Sequence, residues 1–157
     1  MLDLIIRNAN LPDGRTGIDI GIVDGLIKEV KPGLDASAAR EIDATGRLAS
    51  PPFVDSHFHL DSTLSYGQPR VNASGTLLEG IALWGELKPD LTVENIKTRA
   101  IKLCHWAIAR GTLAIRSHVD VSDDRLLAVN ALLAVREEIK PYIDLQLVAF
   151  PQDGYLR

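Results

Sequence analysis

The chain has 157 residues, 46% of them hydrophobic and 24% charged, the balance of an ordinary globular domain. Its net charge of −4, with acids and bases interspersed, excludes the broad basic face that nucleic acid requires. A single cysteine, Cys104, excludes an internal disulfide framework and any Cys-rich zinc site.

The apolar runs fall far short of the roughly 20 residues that cross a bilayer, so no membrane association is expected. The N-terminus carries Asp3 and no basic leader before its apolar run, unlike a secretion signal, and a cytoplasmic protein is the expectation.

In chain order, residues 2–9 are apolar and β-branched around Ile5 and Ile6, and 18–23 alternate in the same way. Asp24-Gly25 is a hairpin signal, because a tight primed turn needs residues that tolerate positive φ. Residues 26–30 are the returning strand. Pro32-Gly33 and the DASAAR stretch break the pattern, and 46–50 lead out of it. Residues 1–50 are therefore a small β module, the N-terminal part of a sandwich-like unit.

Pro51-Pro52 punctuates the chain. Residues 53–60 read as a strand, and 61–75, rich in Ser, Gly, Asn and Pro, as a long functional loop. A helix over 76–88 carries Leu77, Ile81 and Trp84 on one face. Thr92 caps the next helix, whose apolar positions from Val93 to Ile108 follow the 3.6-residue period, and Gly111 stops it. A strand over 113–119, a helix over 124–140 with Leu126, Leu127, Val129, Leu133 and Ile139 as its core face, and a strand over 143–150 complete the order. Strands alternating with helices of this length imply parallel βαβ units in residues 51–157.

The sharpest chemical feature is His57-Phe58-His59 within PPFVDSHFHL. Side chains two apart on a strand share a face, with Cα atoms about 6–7 Å apart. Two imidazoles so placed can converge on one divalent cation at about 2.0–2.1 Å each. At the junction of a strand and a polar loop they would sit on the C-terminal face of a βα sheet or barrel, where active sites of such folds form. Asp55 and Asp61 flank the pair, and either could orient an imidazole. His118 shares a strand face with Arg116 and Asp120, where a hydrogen bond to the neighbouring carboxylate is the ordinary outcome. Trp84 and Trp106 read as packing residues, and Arg70 and Arg116 as solvated or paired.

The run PPFVDSHFHLD resembles the first barrel strand of the amidohydrolase superfamily, in which a short β domain precedes a metal-binding HxH. GQPRVNASGTLLEGIALW, RSHVDVSD and YIDLQLVAFPQDG resemble, in order, segments of the bacterial cytosine deaminases. The fold implied is α/β: the start of a TIM-type (β/α)8 barrel, about three of its eight strands, behind the small N-terminal β module. The activity implied is hydrolytic deamination, with one divalent ion, iron or zinc, activating water for attack on the amine-bearing ring carbon.

By this resemblance His57 and His59 are the first two metal ligands. Gln152 is the base-recognising glutamine, whose amide carries both donors and an acceptor, and Leu77 is a position whose backbone contacts the base. From the residues alone, Gln152 reads as a solvated turn residue and Leu77 as a core leucine of its helix. The resemblance also implies a third histidine, a proton-shuttling glutamate and an aspartate ligand beyond residue 157, so no catalytic residue is assigned within this portion.

The expected partner is a small heterocycle such as cytosine, with homo-oligomerisation possible by analogy. Two histidines are too few for a catalytic zinc, so the 157-residue chain by itself is expected to bind metal weakly and to lack turnover. The alternatives are an amidohydrolase of another aminated ring or cyclic amide, and a non-catalytic binding or assembly module.

Overall fold

The structure is a computed structural model that describes residues 1–154. The chain forms two compact units, Met1–Pro51 and a second beginning at Pro52.

In the first unit, β1 (Leu2–Ala9), β2 (Ile18–Val23), β3 (Leu26–Pro32) and β4 (Ala38–Asp43) make one sheet in the order β3-β2-β1-β4. The β2–β3 turn has Asp24 at φ 51° and Gly25 at φ 72°, the left-handed pair that a primed hairpin turn requires. Strand β4 is absent from the sequence reading, which treats DASAAR as a break. It pairs parallel to β1 as a polar, largely exposed edge strand, so it has no hydrophobic alternation to betray it. Ile5, Ala9, Ile18, Ile20 and Leu34 are the buried core. Beside them Asp19 accepts the Asn8 and Leu34 amides and pairs with Arg7 at 3.0 Å.

The second unit is a three-stranded parallel sheet in the order β5 (Phe53–Phe58), β6 (Thr112–Asp120), β7 (Asp144–Phe150). Helix α1 (Leu77–Leu87) and a 3-10 turn (Lys88–Asp90) follow β5, α2 (Val93–Ile108) precedes β6, and α3 (Leu127–Ile139) joins β6 to β7. One core gathers Ile96, Ala100 and Cys104 of α2, Ala131, Leu132, Val135 and Ile139 of α3, Ile115 and Val119 of β6, and Leu145 of β7. Strands in consecutive order with both helices on one face are the singly wound arrangement of a barrel, as against the doubly wound sheet covered on both faces.

Local signals explain the helix ends. Thr76 and Thr92 accept the amides of Glu79 and Asn95 as N-caps, and Gly111 (φ 85°) turns the chain out of α2 into β6. Helix α3 begins later than expected, because Leu126 is left-handed (φ 50°) and exposed. Its buried face is Ala128, Ala131, Leu132, Val135 and, as expected, Ile139, whereas Leu133 points out. Hydrophobicity cannot tell Leu132 from Leu133. The face carrying two alanines is the one that lets α3 approach its neighbours closely.

The core and the caps differ in energetic weight. Leu132→Ala, at a fully buried position, is expected to cost about 2–5 kcal/mol, whereas Thr92→Ala removes one capping bond and costs about 1 kcal/mol. Denaturant midpoints of the two variants should rank in that order.

Candidate active site

The pairing of β5 with β6 decides where the histidines point. Asp55 lies opposite Ile115 and Phe58 opposite Ser117, three steps on β5 against two on β6, so β5 carries one extra residue between them. Such a bulge reverses the alternation beyond it and re-aims side chains. Phe58 and Ser117 therefore turn toward the helix-covered core, and His57 and His59 turn to the opposite face at the C-terminal end of the sheet. Strand β5 ends at Phe58, so His59 is the first residue of the loop rather than part of the strand.

Three histidines meet there. The His57 and His59 ring centroids are 5.4 Å apart, His118 from β6 stacks on His57 at 4.0 Å, and His59–His118 is 5.7 Å. Phe150, at the end of β7, stands edge-on to His59 at 5.2 Å. The hydrogen bond from His118 to a neighbouring carboxylate, expected from sequence, is not formed among the described residues, where its buried Nδ1 has no partner. The carboxylate of Asp120 is turned toward Trp84 and Lys88 instead.

The loop that carries His59 is held from three sides. The Leu60 amide donates to Ser117 Oγ at 3.0 Å. The buried Asp61 carboxylate accepts the Asp120 amide at 2.8 Å and the Ser62 amide at 3.0 Å, which ties the ends of β5 and β6 together. Arg99 of α2, only 9% exposed, donates to the carbonyls of Asp61 and Thr63 and to Asn95. Of the two flanking acids, Asp61 is thus a backbone tie, and Asp55 accepts the His57 amide at 3.2 Å.

Burial pushes the Asp61 carboxyl up, against the pull of its amide donors and of His59. Burial also holds His59 below the ordinary imidazole range, aided by His57 and His118 and opposed by Asp61, which favours the neutral, metal-binding form.

Beside His59 opens a cavity of about 350 Å³. Its walls include His59 and Asp61, the loop residues Ser65, Gln68 and Asn72, Leu77, Ile81, Trp84 and Leu87 of α1, Asp120 of β6, and Gln152 in the turn after β7. Leu77 and Gln152 therefore share one cavity with His59. Leu77 is 78% exposed and is not the core leucine that helical periodicity suggests; α1 buries Leu83 and Leu87. Trp84 likewise does more than pack, since its indole N–H donates to Asp120 Oδ2 at 2.9 Å. Trp106 is half exposed beneath the Lys102 ammonium. Arg70 is paired with Glu79 and Glu86, and Arg116 donates to Gln146.

Two imidazoles ligating one ion tetrahedrally at about 2 Å place their centroids roughly 5 Å apart, which the His57–His59 spacing fits. His118 does not extend the set: rings stacked at 25° run their nitrogen lone pairs side by side rather than toward a common point. Among the described residues no group of three or more His, Cys, Asp or Glu side chains is arranged to hold a metal ion. Among these residues, then, His57 and His59 are the pair whose spacing suits a shared ion.

A parallel βα sheet with an HxH turned to its C-terminal rim, beside a cavity walled by loops and a helix, is the arrangement found at the C-terminal face of βα barrels. Residues 40–157 match the model of the amidohydrolase family, and the chain belongs to that family.

The crystal structure of 5-methylcytosine deaminase from Klebsiella pneumoniae liganded with 5-fluorocytosine superposes with a TM-score of 0.88 at 44% identity, covering 96% of this chain and 37% of that one. N-isopropylammelide isopropyl amidohydrolase of Pseudomonas sp. (strain ADP) is 40% identical over 98% of this chain and 39% of its own length. Pterin deaminase of Rhizobium rhizogenes is 30% identical over 90% of this chain and 33% of its own length. The chain thus spans less than two fifths of the relatives it matches.

Sequence reasoning missed Arg99 and Lys88. Arg99 was detectable, since it stands between Ile96 and Ala100 on the apolar face of α2, and a charge on a core face demands a partner. Lys88 follows a helix and precedes a proline, with nothing local to mark it.

Two outcomes are expected. Arg99→Met strands the Asp61 and Thr63 carbonyls, so stability should fall by about 1–3 kcal/mol, read from denaturant midpoints, and metal retained after desalting should fall with it. The second concerns Lys88, which pairs with Asp120 at 2.8 Å. Burial raises Asp120, but bonds from Lys88, the Ser122 amide and Trp84 outweigh it, so its carboxyl lies below the ordinary range. Burial lowers Lys88, but Asp120 and Asp153 outweigh it and raise it.

A depressed acid contributes stability above its unfolded pKa of about 4 and loses it as pH falls through the folded value. A raised lysine contributes below about 10.4 and loses it as pH rises through the folded value. The stability gap between wild type and Lys88→Met should be flat from about pH 5 to 9 and close at both extremes.

Proposed function

We propose that this chain supplies the metal-binding first strand and much of the substrate wall of a metal-dependent hydrolase that deaminates cytosine or a closely related aminated heterocycle. The supporting observation is the convergence of His57 and His59 at one rim with a cavity that Gln152 and Leu77 also line. In this reading His57 and His59 hold one divalent ion, iron or zinc. That ion would contribute the Lewis acidity that makes water nucleophilic near neutral pH.

The chain's own residues do the rest of what can be read here. The apolar side of α1 favours a flat ring. The Gln152 amide offers a donor and an acceptor to an amide-like ring edge, which discriminates against rings lacking that pattern. The loop over residues 61–76 and α1 wall the cavity from solvent on one side.

A second reading keeps the site and changes the ring. The 40% identity to an enzyme of N-isopropylammelide over nearly the whole chain favours removal of an alkylamine from a triazine. Both are C–N hydrolyses at an aminated ring carbon, and they differ in the leaving amine.

The test is release of ammonia or isopropylamine by the complete protein from cytosine, 5-methylcytosine, N-isopropylammelide and pterin, with metal content measured in parallel. Cytosine or 5-methylcytosine should be the preferred substrate. Gln152→Ala should raise KM at least tenfold, and His59→Ala should remove both the metal and the activity. Preference for N-isopropylammelide would install the second reading, and turnover undiminished in His59→Ala would sink both.

A further inference from the structure

The cavity is walled on one side by α1 and on another by the turn that carries Gln152, two segments far apart in sequence. A single ammonium joins them. Lys88, the residue that caps α1, is 13% exposed along its side chain and pairs with Asp120 at 2.8 Å and with Asp153 at 2.7 Å. Asp120 ends β6, and Asp153 is the residue next to Gln152.

The surrounding bonds close the same ring of segments. Trp84, one turn back on α1, donates its indole N–H to the Asp120 oxygen that faces Lys88. The other Asp120 oxygen accepts the Ser122 amide, and Ser122 Oγ accepts the Asp153 amide at 3.0 Å. Arg125 donates to the Lys88 carbonyl at 2.8 Å and so holds the lysine's own backbone.

Both of the ammonium's carboxylate partners lie on segments that border the cavity, and neither belongs to the α2–α3 core. Charge-assisted bonds of this kind, largely shielded from water, are strong and directional. They set how far α1 stands from the Gln152 turn, which is the width available to a ring lying between them.

We propose that Lys88 is a positioning residue for substrate recognition, a lock that fixes Gln152 against α1 through Asp120 and Asp153. It rests on the reading that this cavity receives an aminated heterocycle. It goes beyond that reading by assigning the cavity's width to one ion triad. Because the Lys88 ammonium bonds the Asp120 and Asp153 carboxylates rather than an imidazole, its loss should weaken ring binding without disturbing the metal.

The experiment compares the complete wild-type protein with Lys88→Met, Lys88→Arg and Asp153→Asn. Lys88→Met should raise KM for the preferred ring at least tenfold, leave kcat within threefold and leave metal content unchanged. It should also shift the Trp84 indole N–H resonance and speed hydrogen exchange at the Asp153 amide at least tenfold. Lys88→Arg should restore KM to within threefold of wild type. Asp153→Asn, which spares the Asp120 arm, should give an intermediate KM and serves as the readout if Lys88→Met does not fold.

An unchanged KM, a kcat or metal content that falls in step with it, or an unmoved indole resonance overturns the lock. If wild type turns over none of the rings, the functional reading fails separately. The indole resonance and the Asp153 exchange rate still decide whether Lys88 holds the Gln152 turn.

Discussion

One inserted residue in β5 governs everything that happens at the rim. In a regular strand, His57 would lie on the same side as Asp55, whose partner Ile115 belongs to the helix-covered core. Two imidazoles on that side would be buried in hydrocarbon with no water and no ligand to meet, a costly place for paired polar groups. The bulge between Asp55 and Phe58 exchanges the roles. Phe58 goes to the core, and both histidines go to the face where His118 and Phe150 stand. The extra residue is thus the difference between a packing error and a site.

Once the rings are on that face, a few buried polar ties keep them there. A loop that leaves a strand at its C-terminal end has unsatisfied amides and carbonyls, and each must find a partner if water is to be kept out. Ser117 takes the Leu60 amide, Asp61 bridges to the Asp120 amide, and Arg99 takes two carbonyls from the helix layer. The helices are therefore more than a cover for the sheet, because α2 reaches through to the backbone beside His59. Burial makes Asp61 reluctant to ionise, and the amides directed at it offset that reluctance.

The cavity side is organised by charge rather than by hydrocarbon. Helix α1 buries only Leu83 and Leu87 and presents exposed Leu77 and Leu78, so apolar packing does little to fix its position. The Lys88 triad and the Trp84 indole supply the directional contacts that packing does not. A helix held at its C-terminal end by ions can keep a defined distance from the opposite wall while its N-terminal turn remains open to a ligand.

How much of this was legible in the sequence follows from the range of the interactions. Strands β1 and β2, the Asp24-Gly25 turn, the Thr92 cap, the Gly111 stop and the order of βα units come from local alternation, local period and local backbone preference. Those signals act within a few residues and so can be read from them. The HFH pair and its metal-ligand spacing are legible for the same reason. Strand β4 was not, because an edge strand owes its existence to the β1 backbone it pairs with. Apart from Ile139, the buried face of α3 was not, because neighbouring leucines are equivalent until a second helix chooses between them. The bulge in β5 is a matter of register against β6, and Arg99, Lys88 and Asp61 acquire their roles from partners 36 to 65 positions away. Sequence by itself singled out the HFH pair and set the order of the elements that carry it. Only the tertiary structure decided which way they face and what holds them, since both depend on contacts that exist after the chain has folded.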